Sequence, residues 1–487
     1  MGINQDVPYA PCLSPGPGTG EPARTGGPGQ VVCDSEHSRY SVHSGFTSSL
    51  SRQVLSNILW AMSKAPSLGS NYREIYVATP ENVYLYNPDQ HNLNLHLAGD
   101  HRYSNNSAFE VGIAVERNEE AGMAIQAGLL AAVSFWDSSA GSVASCPMQF
   151  ATNYANSNWH PGHPVLMVNV YGQRTGTGLN DSCVARSSDS TLPLPATTGI
   201  DTFELVLTAL DFDTLFDPSR LPLSTLSQLL WAGYGVTPHL TANNRRGTTI
   251  PSAIANYYLT GRIYLISDSA VFRYHNRLPP GTNLTTSDHR LELLIPEDRR
   301  DSLRAACPRL SRTAPVYIVI CVSDTTSNYA MIEAGFAAFQ FLMQAKALDL
   351  CAALTAPLSI NERIGIKAAL NLPAADQPVI VFSAGQVPVG VREQAQAIKS
   401  GLKVRQISTL PVQIQFWISG PYPVHFTISD LIGRRICTWT ETFFSPGWHT
   451  TIWNGNDNFG NPVPAGIYIA KFATEIHTET TRIVLTR

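Results

Sequence analysis

The chain has 487 residues, of which 44% are hydrophobic and 14% charged, and its formal net charge is −4. Because one hydrophobic core stops growing well below this length, we predict a globular protein of two to four domains. Because the net charge is small and negative, it gives no electrostatic reason to expect nucleic acid or an anionic membrane as a partner. No apolar run reaches the length of about eighteen residues that spans a bilayer, and the N-terminus lacks a signal-peptide pattern.

Residues 1–45 are rich in Gly, Pro and Ser without any period, which predicts an extended arm or a disordered tail. Beyond them, five segments of residues 46–173 recur in the same order within residues 223–386. The pairs are LSNILWA (55–61) with LSQLLWA (226–232), VYLYN (83–87) with VFRYH (271–275), HNLNLHLAGDHR (91–102) with HRLELLIPEDRR (289–300), EVGIA (110–114) with EAGFA (333–337), and PVLMVNVYGQ (164–173) with PVIVFSAGQ (378–386). The order predicts two copies of one α+β unit, joined by a linker and crossover segment at residues 174–222.

The two copies are unequal in length. The second has a polar loop with adjacent arginines between Trp231 and Phe272, where the first has a shorter connection. It also carries the apolar run APVYIVICVSD (314–324), which is typical of a buried strand and for which we find no match in the first copy. The first copy is therefore predicted to be a reduced one.

The segment from residue 223 to residue 253 is the best candidate for a ligand site. Apolar residues at spacings of three and four predict an amphipathic helix that ends at Gly233 and Gly235. The loop that follows, from Asn243 to Ser252, offers side-chain and backbone donors of the kind that hold an anion.

Other polar residues are better explained by structure than by chemistry. His91 and His289 lie in matching segments, which indicates packing, and Glu110 and Glu333 are expected to pair with each other between the copies. His160 and His163 have no third metal ligand nearby in sequence, so a turn is preferred and no metal site is predicted. NGNDNFGN (454–461) resembles a calcium loop in its oxygen content, but a hairpin turn explains it better.

The arginine-then-PSA segment, together with LSQLLWA, RIYLI (262–266) and EAGFAAFQFLMQAKAL (333–348), resembles the flavin nitroreductase superfamily, in particular SagB-type oxidoreductases. Members of that family are α+β dimers that bind FMN at the subunit interface and are reduced by NAD(P)H. The resemblance implies tandem copies that form a fused pseudo-dimer within one chain. It also implies a cofactor site formed by Arg245, Arg246, Pro251, Ser252 and Ala253.

One departure from the family bears directly on the cofactor. The basic segment that grips the FMN phosphate in the family, just before the LSQLLWA helix, is replaced by LTALDFDTLFDPSRLPLS (207–224). Asp211, Asp213 and Asp217 are offset there only by Arg220, and carboxylates beside a phosphate repel it.

Residues 413–487 contain short strands separated by turn residues, after a linker at residues 387–412. VHFTISDLIGRRI (424–436) and the closing TRIVLTR resemble the FlgD-like immunoglobulin fold that serves as a type IX secretion sorting domain. The resemblance implies an Ig-like β-sandwich, contact with the export machinery, and an extracellular or cell-surface location.

Two functional hypotheses follow. The first is an exported FMN-dependent oxidoreductase with at most one flavin site, which would use NAD(P)H and a small electrophilic substrate and has no assignable catalytic side chain. The second is a cofactor-free nitroreductase-like pseudoenzyme that acts as an extracellular binding or structural module.

Overall fold

The computed structural model describes residues 46–47, 50, 52–134, 143–174, 206–207, 210, 212–213, 215–240, 246–252, 256–277, 287–388, 402–404, 412–418, 423–430, 433–442, 447–473 and 478–485. The predicted arm, residues 1–45, lies outside these residues, as do most residues of both predicted linkers. The chain divides into two compact units, residues 1–386 and residues 387–487.

Where the structure describes it, the first half of unit one contains a seven-stranded antiparallel sheet and three helices. The strands are β1 (Phe46–Thr47), β2 (Arg73–Ala78), β3 (Asn82–Asn87), β4 (Asn92–Ala98), β5 (Phe109–Val115), β6 (Val143–Met148) and β7 (Met167–Arg174), and the helices are α1 (Arg52–Lys64), α2 (Asn118–Ser134) and α3 (Gln149–Asn158). The order is β1-β7-β5-β2-β3-β4, with β6 also paired to β7. Every residue of β5 is buried, as expected of a continuous apolar run at the centre of a sheet.

Among its described residues, the second half contains a six-stranded antiparallel sheet, a separate hairpin, two helical residues at 206–207 and four longer helices. The helices are α4 (Leu223–Tyr234), α5 (Arg300–Ala306), α6 (Asn328–Ala347) and α7 (Ile360–Ala369). The hairpin consists of β8 (Val236–Leu240) and β9 (Arg246–Thr248), and the sheet of β10 (Ile263–Ile266), β11 (Val271–Arg277), β12 (Ser287–Ile295), β13 (Val316–Val322), β14 (Leu350–Thr355) and β15 (Gln377–Gln386). The sheet order is β12-β11-β10-β13-β15-β14.

The strand orders of the two sheets correspond. In the second sheet the strands follow one another, from one edge, as β14, β15, β13, β10, β11 and β12. They correspond in this order to β6, β7, β5, β2, β3 and β4 of the first sheet. The buried run of β13 therefore has a counterpart in β5, and the prediction that the first copy lacks this strand is wrong.

The pairing of EVGIA with EAGFA is also wrong. EVGIA lies in strand β5, whereas EAGFA lies in helix α6, so the two segments cannot be equivalent. The counterpart of EAGFA is EAGMA (120–124) in α2. The mistake arose because a short Glu-x-Gly-x-Ala pattern fits a strand and a helix equally well.

The core of unit one lies where α2 and α6 cross between the sheets. Both helices are buried on almost every side, and apolar residues from both halves form one cluster. Gly122 and Gly335 meet the opposite helix reciprocally: a β-carbon on Gly122 would overlap the carbonyl oxygen of Ile332, and one on Gly335 would overlap that of Glu119. Glycine is required at both positions because the two backbones touch.

Unit two is made of strands alone among its described residues. One sheet contains β16 (Leu402–Val404), β17 (Val412–Ile418) and β20 (Gly447–Trp453), and the other contains β18 (Pro423–Asp430), β19 (Arg435–Thr442), β21 (Gly466–Ala473) and β22 (Thr478–Leu485). Both sheets contribute to one apolar core, where the rings of Phe416 and Phe426 lie 5.0 Å apart. Across the described parts of both units, no helix has the length and apolar character needed to cross a bilayer.

Candidate functional site

The structure describes the predicted cofactor residues only in part. Arg245 and Ala253 lie outside the described residues, and Arg246 is described by its backbone, as the first residue of β9. Pro251 is buried and Ser252 is half-buried. Of the predicted cofactor residues, Ser252 has described hydrogen bonds, which show how its segment is held.

Ser252 joins its own loop to helix α6. Its hydroxyl donates a hydrogen bond of 2.7 Å to a carboxylate oxygen of Glu333 and accepts one of 2.6 Å from the backbone N–H of Tyr257. Tyr257 has a positive φ of 49°, so this bond holds the chain at a tight turn. The Ser252 hydroxyl thus holds the turn after Pro251, which is the structural role that such a serine commonly has.

Glu333 is completely buried and receives hydrogen bonds from several neutral donors. Besides Ser252, the hydroxyl of Tyr234 donates to it at 2.9 Å, and the backbone N–H of Leu259 donates at 3.3 Å. Burial raises the pKa of Glu333 to about 7, although these hydrogen bonds lower it. This carboxyl group therefore connects α4, α6 and the segment that follows Pro251.

The equivalent residue of the first half, Glu120, has a different partner. It accepts hydrogen bonds from the Leu68 backbone N–H (2.8 Å) and the Ser67 hydroxyl (3.3 Å), and it forms an ion pair of 2.5 Å with Arg73. Burial would raise the pKa of Glu120, but the charge of Arg73 and the hydrogen bonds outweigh it and hold the pKa below its usual range. Pro66 and Ser67 thus take the place that Pro251 and Ser252 take in the second half.

The expected pairing of Glu110 with Glu333 is wrong. Glu110 lies in β5 and accepts hydrogen bonds from the backbone N–H groups of Tyr103 and Ser104, at 2.9 and 2.7 Å. The sequence held a better signal, because the tripeptide Glu-Ala-Gly occurs at residues 120–122 and again at residues 333–335. Matching those tripeptides would have identified Glu120 and Glu333 as the equivalent pair.

The acidic segment before α4 lies along the end of the second sheet. The backbone N–H of Asp213 donates to the carbonyl oxygen of Ala352 in β14, and the Asp213 carboxylate accepts from the backbone N–H of Ala352. The same carboxylate lies 2.5 Å from the Lys346 ammonium. Asp217 forms a backbone bridge with Gln386. Arg220, predicted as the only basic residue of this segment, pairs with Asp268 at 3.1 Å.

These described residues do not fit a flavin phosphate. Lys346 and Arg220 are cations suited to a phosphate, and each is already paired with a carboxylate. A further carboxylate about 4 Å from a phosphate oxygen opposes binding by about 4 kcal/mol per pair of unit charges at a protein-like dielectric. The Ser252 hydroxyl is likewise engaged on its donor and acceptor sides.

His91 and His289 occupy matching networks. His289 Nε2 lies 2.8 Å from the Ser227 hydroxyl and its Nδ1 lies 2.8 Å from the Tyr274 hydroxyl. His91 contacts Ser56 at 2.6 Å and Tyr86 at 2.7 Å in the same way. Ser227 and His289 are buried, so this network fastens α4 to β11 and β12, in keeping with the packing role expected of both histidines.

The remaining polar motifs also have structural contacts. His163 pairs with Glu74 at 3.0 Å and stacks on the Tyr72 ring at 3.7 Å. Asp457 accepts hydrogen bonds from the backbone N–H groups of Phe459 and Asn461 and so closes the turn at residues 454–461. No group of three or more His, Cys, Asp or Glu residues in the described ranges is arranged to hold a metal ion.

Comparison of the sequence with protein-family models and with curated proteins finds no match. Among solved structures, a protein described as a nitroreductase from Anabaena variabilis is similar over 69% of this chain and 88% of its own, at 10% identity and a TM-score of 0.50. A second nitroreductase, from Ralstonia eutropha, is similar over 44% of this chain and 96% of its own, at 22% identity and a TM-score of 0.33. An NADH oxidase from Clostridium acetobutylicum is similar over 38% of this chain and 88% of its own, at 16% identity and a TM-score of 0.26.

The similarity to the Anabaena protein reaches a TM-score of 0.50 and so allows whole folds to be compared. Its coverage corresponds to about 336 residues (0.69 × 487), more than the 181 residues from 206 to 386. The similarity therefore extends beyond the second half of unit one. We conclude that this chain has a nitroreductase-like fold.

Proposed function

We propose that unit one consists of two nitroreductase-like copies fused in one chain, arranged as the subunits of a dimer are. The proposal is supported by the corresponding strand orders and by the reciprocal contacts of Gly122 and Gly335. In a two-fold interface, each surface meets its own counterpart, so contacts occur in such reciprocal pairs.

We further propose that this pseudo-dimer is a cofactor-free module that binds or supports another component. The observation that carries the proposal is the ion pair of Asp213 with Lys346 of α6. By the resemblance, Asp213 lies in the segment where the family grips phosphate, and its carboxylate neutralises the Lys346 cation. The engagement of Ser252 by Glu333 and Tyr257 supports the same conclusion. The fold is then retained as a scaffold, since function depends on sites and not on folds.

A second candidate is an FMN-dependent oxidoreductase with at most one flavin site, in the second half. It is favoured by the nitroreductase-like fold and by the sequence, in which Arg245 and Arg246 stand a few residues before Pro251 and Ser252. In this case the flavin would supply the redox chemistry, with NAD(P)H as donor and a small electrophile as acceptor. The side chains named would only hold the cofactor.

The two candidates predict different spectra for the purified protein. As a cofactor-free module, the chain purified from cells supplied with riboflavin should show no visible flavin absorbance and should not accelerate NAD(P)H oxidation. A matched control is a flavin-binding nitroreductase prepared in the same way. Bound flavin together with NAD(P)H oxidation would overturn the module and establish the oxidoreductase.

We propose that unit two is an Ig-like sorting domain that directs export to the cell surface or the medium. Its two sheets around one core, of three and four strands, support an Ig-like sandwich. Deletion of residues 413–487 should shift the protein from the surface and medium fractions into the cell. Unchanged distribution of the truncated protein in cell fractionation would refute this assignment.

A further inference from the structure

Glu120 and Glu333 occupy equivalent helix positions but differ in electrostatics. Glu120 forms an ion pair with Arg73 at 2.5 Å. The groups that contact Glu333 are neutral: the hydroxyls of Tyr234 and Ser252 and the backbone N–H of Leu259. A buried carboxylate without a cation favours its protonated form, because hydrogen bonds from neutral donors replace only part of the hydration that the charged form loses.

No described cation forms an ion pair or a hydrogen bond with Glu333. From α4 the titratable group is Tyr234, and from α2 it is Glu119, whose backbone touches Gly335. From the segment after Ser252 they are Tyr257, Tyr258 and Arg262, and the Arg262 guanidinium donates to the Tyr258 carbonyl oxygen at 3.1 Å and pairs with Asp376. When Glu333 is protonated, its O–H can donate to the hydroxyl of Ser252 or Tyr234, because a hydroxyl can accept as well as donate. Protonation therefore preserves the network, whereas ionisation places in the core a charge that has neutral hydrogen-bond donors but no cation to balance it.

We propose that Glu333 is a proton-dependent latch, which in its neutral form fastens Ser252 and Leu259 to α6 and on ionisation loosens them. Ser252 and Leu259 follow β9 in the chain, so the latch would control how firmly these two residues are held to α6, whether or not a ligand binds nearby. It goes beyond the proposed scaffold role, because it makes these contacts depend on pH.

The direction of the effect follows from the carboxyl pKa in the closed and open states. Burial raises the closed-state pKa of Glu333 to about 7 from the ordinary value of 4.5. In the closed state, Ser252 and Leu259 are hydrogen-bonded to Glu333. Protonated Glu333 stabilises this state fully below pH 4.5, and the stabilisation is lost as the pH rises to about 7, above which it changes no further. The opening equilibrium constant should therefore rise about 20-fold between pH 5.5 and pH 7.5.

Amide hydrogen exchange of the full chain tests this directly. Protection factors of the peptides that contain Tyr257 and Leu259 would be measured at pH 5.5 and 7.5, so that the change in intrinsic exchange rate cancels. The wild-type protein should lose about 20-fold in protection across this interval. Glu333→Gln should show the same protection at both values, because glutamine does not titrate.

Glu120→Gln is the matched control, since it changes the equivalent helix position of the first half. It should leave the pH dependence of the Tyr257 and Leu259 peptides as in the wild type. In the wild type, the peptide that contains Leu68 should show no pH dependence over the same interval, because Arg73 keeps Glu120 ionised. Wild-type protection at Leu259 that is equal at both pH values, or a pH dependence that persists in Glu333→Gln, would overturn the latch.

Discussion

Replacing Gly335 by alanine should lower the free energy of unfolding of unit one by about 3 kcal/mol or more. The added β-carbon would overlap the Glu119 carbonyl oxygen, which belongs to the backbone of a buried helix and cannot rotate away. Either the two helices separate or the alanine strains both backbones. Chemical denaturation followed by helical circular dichroism reports on unit one, because all described helices lie there.

The matched control is Gly365→Ala, in the interior of α7. There the nearest atom to an added β-carbon is the Ala306 β-carbon at 3.1 Å, which can shift slightly, and alanine improves helix propensity by about 1 kcal/mol. This variant should change stability by less than about 1 kcal/mol. Gly122→Ala should resemble Gly335→Ala because the contacts are reciprocal, and equal small effects at all three glycines would contradict the crossing geometry.

Replacing Arg73 by methionine should lower the free energy of unfolding by about 3 kcal/mol at pH 7, because it leaves Glu120 buried and without its cation. Arg73 also donates hydrogen bonds to the carbonyl oxygens of Ala65 and Pro66, at 2.6 and 2.8 Å, and these contacts are lost as well. Urea denaturation of the variant and the wild type measures the difference. The double variant Arg73→Met, Glu120→Gln should recover part of the loss and not all of it.

The loss of unfolding free energy in Arg73→Met should become smaller as the pH falls. In the wild type, the lowered pKa of Glu120 stabilises the folded state above the unfolded-state pKa, and this stabilisation is lost as the pH falls. In Arg73→Met, burial raises the pKa instead, so the deficit should shrink on acidification. The control is Asp301→Asn, which removes an exposed partner of Arg304 and should cost less than about 1 kcal/mol. A deficit in Arg73→Met that grows as the pH falls would contradict the assigned ion pair.

Short-range patterns predicted much of the second half of unit one. The spacing of Leu226, Leu229 and Leu230 predicted α4, which the structure places at Leu223–Tyr234 and ends at Gly235. The apolar run at 314–324 predicted a buried strand, which is β13. These patterns succeed because burial selects apolar side chains at the period of each element.

The contacts between the halves could not be predicted in the same way. A short Glu-x-Gly-x-Ala pattern occurs in β5 and in α6, and only the three-dimensional arrangement shows that one is a strand and the other a helix. The need for glycine at position 335 arises from a backbone more than two hundred residues away. No local propensity contains that information.

The candidate site was predicted in position but not in its contacts. Sequence reasoning identified the loop with Ser252 and the unfavourable charge of Asp213 and Asp217. It did not find Glu333 as the partner of Ser252 or Lys346 as the partner of Asp213, because both pairs join segments far apart in the chain. The side chains of Arg245 and Arg246 lie outside the described residues, so their part in ligand binding stays a prediction.

Equilibrium dialysis of the full chain against saturating FMN tests the cofactor-free proposal most directly, by counting the flavin bound per chain. Arg245→Ala, Arg246→Ala serves as the comparison, since it removes the remaining predicted phosphate donors. Because Lys346 and Arg220 are paired with carboxylates, we expect no stoichiometric FMN binding by either protein. One FMN per wild-type chain, lost in the arginine double variant, would contradict the proposal and place a flavin site at the hairpin.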